Sequence, residues 1–254
     1  MGTTVMNFCD LTGKTALVTG SSRGIGRAAG LLLAQLGARV IFHGSKPGEK
    51  LDSAVAAAGN GALALAADFD KPDEVRLFAD TIVQKSLAPD ILVLNASVQS
   101  YVGLTNFDAG EFGRMFRANV ESSCLILQRL LPEMRKKGSG RVIFVGSING
   151  VRPALRLAVY GATKSALMNV AKVAALENAP YGITVNTILP GVIETDRNAE
   201  KLRDDAFAAE LKGKIPMHRF GTVDDCAGAI AFLASDAASY ITGAEIPVSG
   251  GWQL

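Results

Sequence analysis

Short runs of apolar, β-branched residues recur along the chain between longer stretches in which apolar positions repeat with helical spacing. The pattern predicts strands over residues 15–19, 39–42, 62–66, 91–94, 141–145, 184–189 and 245–248. Several of these runs are apolar throughout rather than alternating, as strands covered on both faces tend to be. Helices are predicted over residues 24–36, 72–86, 108–137, 158–179 and 223–234. Strand and helix taking turns in this way predict an α/β fold, a doubly wound parallel sheet of about seven strands with helices on both faces. Ligands of such sheets bind beyond the carboxyl ends of the strands. Residues 192–215 differ in texture: they carry many charges and precede the last helix and strand, either as a lid over a site or as a surface helix pair.

Composition narrows the function without naming it. A chain of 254 residues is long enough for one large core, and no repeat or linker divides it, so residues 1–254 are expected to form a single domain. Within it, two halves are expected, over about 11–145 and about 146–254. A net charge of +2 argues against nucleic acid or an anionic membrane as partner. The densest basic run, Arg135-Lys136-Lys137, precedes Gly138 at a predicted helix end, where cations complement the helix dipole. Cys9, Cys124 and Cys226 form no metal or disulfide spacing, so no metal is expected and a reducing cytoplasm is the natural setting. No signal peptide is evident. "MGTTVM" opens like a myristoylation site but has Met6 where Ser or Thr is wanted, and no apolar run approaches the roughly 20 residues of a membrane span.

Candidate chemistry begins after the first strand, at "TGSSRGIG". Gly20, Gly24 and Gly26 let the backbone turn sharply and approach a pyrophosphate, while the following helix offers unpaired N–H groups. That placement is the one a Rossmann-type dinucleotide fold requires. At the end of the second strand, "VIFHGSK" holds no carboxylate that would take a ribose 2′-hydroxyl and repel a 2′-phosphate. Ser45, Lys46 and Arg23 supply a hydroxyl and two cations to that corner, which favours NADP(H) over NAD(H). Further along, "VYGATKSAL" sets Tyr160 and Lys164 four residues apart on one helix face. Either they are a core phenol and a snorkelling amine, or they are a catalytic pair. In a pair, the ammonium would favour the phenolate of a group whose ordinary pKa is near 10.

Taken together, "TGSSRGIG", Asp68, "LNAS" at 94–97, Asn119, Ser147, "YGATK" at 160–164 and "NTILPGVIET" at 186–195 resemble the short-chain dehydrogenase/reductase family. The resemblance runs from about Leu11 to Trp252. It implies that Tyr160 is the general acid/base, that Lys164 tunes it and binds the nicotinamide ribose, and that Ser147 holds the substrate oxygen. Asn119 would complete a proton relay by supporting Lys164 through a water. The cofactor would be held by Gly20, Ser22, Arg23, Gly24, Ile25 and Gly26 in the turn, and by Ser45, Lys46, Asp68, Phe69 and Asn95 along the strand ends. Pro190, Gly191, Ile193 and Thr195 would hold its nicotinamide side and phosphate. The chain departs from the family pattern at Ser97, where glycine is usual, and at Ser249, where aspartate is usual.

For the substrate, Gln99, Asn149, Arg152, Arg156, Glu194 and His218 are candidates, and the two arginines either bind a carboxylate or phosphate or point elsewhere. The region from Val185 onward is similar to gluconate- and deoxygluconate-type sugar dehydrogenases, which implies a sugar, polyol or sugar acid. Reduction of 3-oxoacyl groups on acyl carrier protein is the alternative. A dinucleotide-binding protein without turnover is the more remote one. Apolar positions on the helices at 108–137 and 158–179 exceed the needs of one sheet, and the family resemblance implies that these helices pair across a dimer axis within a homotetramer, with a dimer as the fallback.

Overall fold

The computed structural model describes residues 9–196, 198–199 and 203–254. The myristoylation-like start therefore lies outside the described residues, as do four positions of the charged 192–215 segment. Seven strands form one sheet: β1 (Thr15–Val18), β2 (Arg39–Gly44), β3 (Leu63–Ala66), β4 (Ile91–Leu94), β5 (Gly140–Val145), β6 (Ile183–Pro190) and β7 (Glu245–Val248). Their order is β3-β2-β1-β4-β5-β6-β7 and every pairing is parallel. The order reverses between β1 and β4, so the chain leaves a crevice beyond their carboxyl ends. Burial follows position in the sheet. All four residues of β4 and all eight of β6 are buried, whereas edge strand β3 alternates between half-buried and exposed residues.

The α-helices whose bounds are described are α1 (Gly24–Gln35), α2 (Glu49–Ala58), α3 (Pro72–Gln84), α4 (Ala109–Phe116), α5 (Ser122–Lys137), α6 (Ala158–Asn178), α7 (Asp205–Gly213) and α8 (Val223–Ala234). Two apolar layers cover the sheet. Leu33, Phe42, Ile143 and Ile230 belong to one, which includes buried residues of α1 and α8. Leu17, Leu92, Ile126 and Val185 belong to the other, which includes residues of α3, α5 and α6. Full burial of one such aliphatic side chain contributes about 2 kcal/mol before entropy is counted.

Two departures from the sequence pattern have physical causes. The helix expected over 108–137 is interrupted by a π-helical stretch, Arg117–Glu121, which is wider than the α-helix and carries buried Asn119. Helix α2 was not anticipated; only Leu51 and Ala54 are buried on it, so its apolar stripe is thin. In the 192–215 segment, α7 starts at an Asp204 cap whose carboxylate accepts from the N–H groups of Ala206 and Phe207.

Candidate active site

The carboxyl ends of the strands open onto a cavity of about 990 Å³. Its first wall is the turn after β1. Thr19 anchors the floor: its hydroxyl accepts from the N–H groups of Asn95 at 2.9 Å and Ala96 at 3.0 Å. Asn95 answers by donating from Nδ2 to the carbonyls of Thr19 at 2.8 Å and Gly20 at 3.1 Å. Gly26 has to be glycine, because a Cβ there would lie 2.5 Å from Asn95 Nδ2 and 2.6 Å from the Gly20 carbonyl oxygen.

Helix α1 begins at this turn with no side-chain cap and no acidic residue in its first turn. Helices α4, α7 and α8 are capped by Asp108, Asp204 and Thr222, while α2, α3 and α6, like α1, start without a side-chain cap. On α8, the Arg219 guanidinium beside Asp225 holds that carboxyl well below the usual carboxylate range. An uncapped N-terminus facing a cavity is suited to a diphosphate.

His43 was not singled out by the sequence, yet it organises this wall. Its Nδ1 accepts from the Gly20 N–H at 2.9 Å, and that bond fixes the tautomer so that Nε2–H donates to the Ala67 carbonyl at 3.0 Å. The His43 N–H donates to Ser21 Oγ at 2.8 Å, and the ring stacks on Phe69 with centroids 4.0 Å apart. Burial holds the imidazole pKa down to about 4, offset in part by the Ala67 bond, so the ring is neutral. One side chain thus ties the glycine turn to the ends of β2 and β3.

The second wall brings together the residues that the sequence named for proton chemistry. Helix α6 presents buried Tyr160 and Lys164, and Lys164 Nζ lies 5.7 Å from the Tyr160 ring centroid. Nζ also donates to the Val145 carbonyl at 2.8 Å, at the end of β5. Ser147, buried just beyond β5, accepts from the Asn149 N–H at 3.1 Å. Gly161 lets α6 approach this turn: a Cβ there would lie 2.8 Å from the Asn149 carbonyl oxygen. Buried Asn119 accepts from the Val98 N–H at 2.7 Å, and donates to the Val98 carbonyl at 2.9 Å and Thr163 Oγ1 at 3.0 Å. Thr163 in turn donates to the Tyr160 carbonyl at 2.7 Å. The π-helical stretch thereby braces both the loop after β4 and the helix that carries the phenol.

The cavity is lined by Gly20, Ser22, Arg23, Gly24 and Ile25, by Ser45, Lys46, Asp68, Phe69 and Asn95, and by Ser147, Tyr160 and Lys164. It is also lined by Pro190, Gly191, Ile193 and Thr195 beyond β6, and by Gln99 and Asn149. The last segment is held by Gly221, whose carbonyl accepts from Glu194 N–H at 2.8 Å and whose N–H donates to the Val192 carbonyl at 2.9 Å. Gly26 and Asn119 do not line the cavity; both act from behind it. Arg152 and Arg156 also lie off the lining. Arg152 sits over the Trp252 ring at 5.0 Å, and Arg156 Nη2 donates to the Tyr101 carbonyl at 3.0 Å. Glu194 and His218 are exposed and off the lining as well.

Residues that the sequence reading did not name for the site also line it, among them Tyr101, Arg114, Leu155, Phe207, Leu211 and Trp252. Their sequence positions are scattered, and no local pattern joins them. No group of acidic, histidine or cysteine side chains able to hold a metal occurs among the described residues, and none of their helices is long and apolar enough to cross a membrane.

A parallel sheet that switches direction beside a glycine turn, with a Ser, Tyr and Lys set beyond its centre, defines a nucleotide-linked oxidoreductase, and the chain belongs to the short-chain dehydrogenase/reductase family. Residues 20–253 match the family model described as enoyl-(acyl carrier protein) reductase. Among curated proteins, the 3-oxoacyl-[acyl-carrier-protein] reductase of Rickettsia conorii is 37% identical over 95% of this chain and 98% of its own. The L-rhamnose 1-dehydrogenase (NAD(P)(+)) of Azotobacter vinelandii is 35% identical over 95% of this chain and 97% of its own. Among solved structures, a 3-oxoacyl (acyl-carrier-protein) reductase from Agrobacterium tumefaciens with NADP bound superposes with a TM-score of 0.90 at 37% identity, covering 96% of each chain. A protein of the same organism, provisionally named a gluconate dehydrogenase, gives 0.92 at 31% identity, covering 97% of this chain and 98% of its own. The chain is therefore an oxidoreductase of carbonyl and CH–OH groups.

Proposed function

We propose that the protein interconverts an alcohol and a carbonyl with NADP(H), Tyr160 being the general acid/base. The observation that carries this reading is the shared cavity: Tyr160, Ser147 and Lys164 line the same space as the glycine turn and the Arg23, Ser45 and Lys46 corner. The residues fit a dinucleotide. The uncapped N-terminus of α1 suits the diphosphate, and Asn95 and Asp68 border the region for the adenosine. Arg23 and Lys46 are exposed and form no ion pair among the described residues, which leaves them able to meet a 2′-phosphate. When bound, the nicotinamide supplies or accepts the hydride.

The chain's own groups handle the proton and the geometry. In the reductive direction, Ser147 donates a hydrogen bond to the substrate oxygen and Tyr160 delivers a proton to it. The Lys164 ammonium, fixed on the Val145 carbonyl, favours the phenolate left behind. Asn119 holds the backbone of Val98 and, through Thr163, that of Tyr160.

Similarity does not choose the substrate, since the relatives are named both for sugars and for 3-oxoacyl groups. Of the two alternatives for Arg152 and Arg156, an anion site or another target, the contacts favour the second: neither lines the cavity, Arg152 lies over the Trp252 ring and Arg156 donates to the Tyr101 carbonyl. A homotetramer is supported by exposed Val173 and Leu176 on α6 and by fully exposed Tyr240; light scattering tests it. A cytoplasmic location agrees with three unpaired cysteines. The experiment for the reaction is nicotinamide absorbance against panels of ketones, ketoses, sugar acids and 3-oxoacyl thioesters with each cofactor. Turnover with NADPH above NADH supports the reading, and no turnover with any of them defeats it.

A further inference from the structure

We infer that the substrate bears a compact apolar substituent, an alkyl chain or an aryl ring, beside its reactive carbonyl, and that Leu155 and Phe207 receive it. The inference rests on the carbonyl–alcohol reading of the site and concerns the wall beside Tyr160.

Leu155 lines the cavity while 94% exposed, and Phe207 lines it while 44% exposed. Neither is there to fill the core. The chain fixes Leu155 in place at a conformational cost, because Arg156, next to it, has a φ of 64°, a region unfavourable for a residue with a Cβ. That conformation is held from both ends. The Val102 N–H donates to the Arg156 carbonyl at 2.9 Å, and the Arg156 guanidinium donates to the Tyr101 carbonyl at 3.0 Å. The loop after β4 and the loop before α6 are thereby pinned to each other, with Leu155 displayed at the cavity. Arg156 is a positioning residue here.

Next to Phe207 in the chain, Ala208 belongs to an apolar support. Ala208, Ile215 and Phe220 form a buried cluster against which Leu211 and Trp252 pack, and both of these also line the cavity. Tyr160 itself belongs to another apolar cluster, with Met115, Leu157 and Val159. The Tyr160 ring thus packs among apolar side chains, with Lys164 beside it, in a cavity that also has apolar lining residues.

Charged side chains near this wall have partners, Arg152 over the Trp252 ring among them. Arg114 lines the cavity but pairs with Glu111 at 3.2 Å, and Lys212 lies over the Phe220 ring at 4.9 Å. Gln99 and Asn149 are polar groups there, enough to orient one or two oxygens. A polyol would bring several hydroxyls against this wall, and each one left unpaired on burial opposes binding. An alkyl or aryl group loses nothing there and gains by leaving water.

The test is kcat/KM, with saturating reduced cofactor, for matched ketones whose substituent is either apolar or hydroxylated. It is run on the wild type, Leu155→Ser, Phe207→Ser and Phe207→Leu. The apolar member of each pair is expected to be preferred by tenfold or more. The two serine variants should cut that preference roughly ten- to hundred-fold, with cofactor affinity unmoved, and Phe207→Leu should retain most of it. A preference for ketoses, keto sugar acids or long 3-oxoacyl thioesters overturns the inference while leaving the redox reading intact. So does an apolar preference that the serine variants fail to move. No turnover of any carbonyl or alcohol overturns the redox reading, and this inference with it.

Discussion

His43 offers a prediction whose size follows from the structure. The imidazole is 2% exposed, accepts from Gly20 and donates to Ala67. A second proton would have to sit on Nδ1, facing the Gly20 N–H, so protonation breaks that bond and places a charge in an apolar site. The native pKa near 4 lies below the ordinary 6.5, so the unfolded chain takes up the proton first. Stability from this group is therefore fully present above pH 6.5 and is lost as pH falls toward 4. The full difference is worth roughly 3 kcal/mol, of which about 2 kcal/mol disappears between pH 7 and pH 5. His43→Gln keeps an acceptor and a donor but does not titrate. Urea unfolding of both proteins at pH 7 and pH 5, followed by the fluorescence of Trp252, isolates the effect because all other groups titrate in both. The wild type should lose about 2 kcal/mol more than the variant over that interval. Equal losses would show that the histidine is not held neutral, and the account of the glycine turn would fall with it.

Other consequences are narrower. Replacing Arg23 and Lys46 by Ala should weaken NADPH binding by roughly tenfold each and leave NADH binding nearly unchanged, measured by titration at low salt. Asn119→Ala would strip hydrogen bonds from both Val98 backbone groups and from Thr163. A loss of about 3 kcal/mol in chemical denaturation is expected, together with a fall in turnover, since the loop after β4 loses its brace.

Much of the fold was legible because buried parallel strands leave an unmistakable trace: "ILVL" and "TALV" have no exposed face to disguise with polar residues. The glycine turn and the Tyr160–Lys164 pair were legible for a related reason, since both are local spacings. What escaped depends on partners far away in sequence. His43 is one histidine at a strand end, and its meaning lies in backbone groups 23 and 24 residues distant. For Arg152 and Arg156 the sequence left a shared anion and separate targets open; the segment between them is not helical, and Arg156 has left-handed backbone. The apolar wall was hidden similarly. Leu155 and Phe207 are ordinary surface residues by local context, and only loop pinning and the placement of α7 bring them to the cavity. The π-helical stretch at Arg117–Glu121 has no compositional mark at all.

The most direct measurement is the turnover of Tyr160→Phe, followed through nicotinamide absorbance with a substrate the wild type accepts. Removing one hydroxyl from a buried ring leaves the packing against Met115 and Leu157 in place. The proton path alone is lost, and kcat should fall by between about a hundred- and ten-thousand-fold in a variant that still folds and still binds cofactor. Turnover at the wild-type rate would contradict the assignment of Tyr160 as the proton donor.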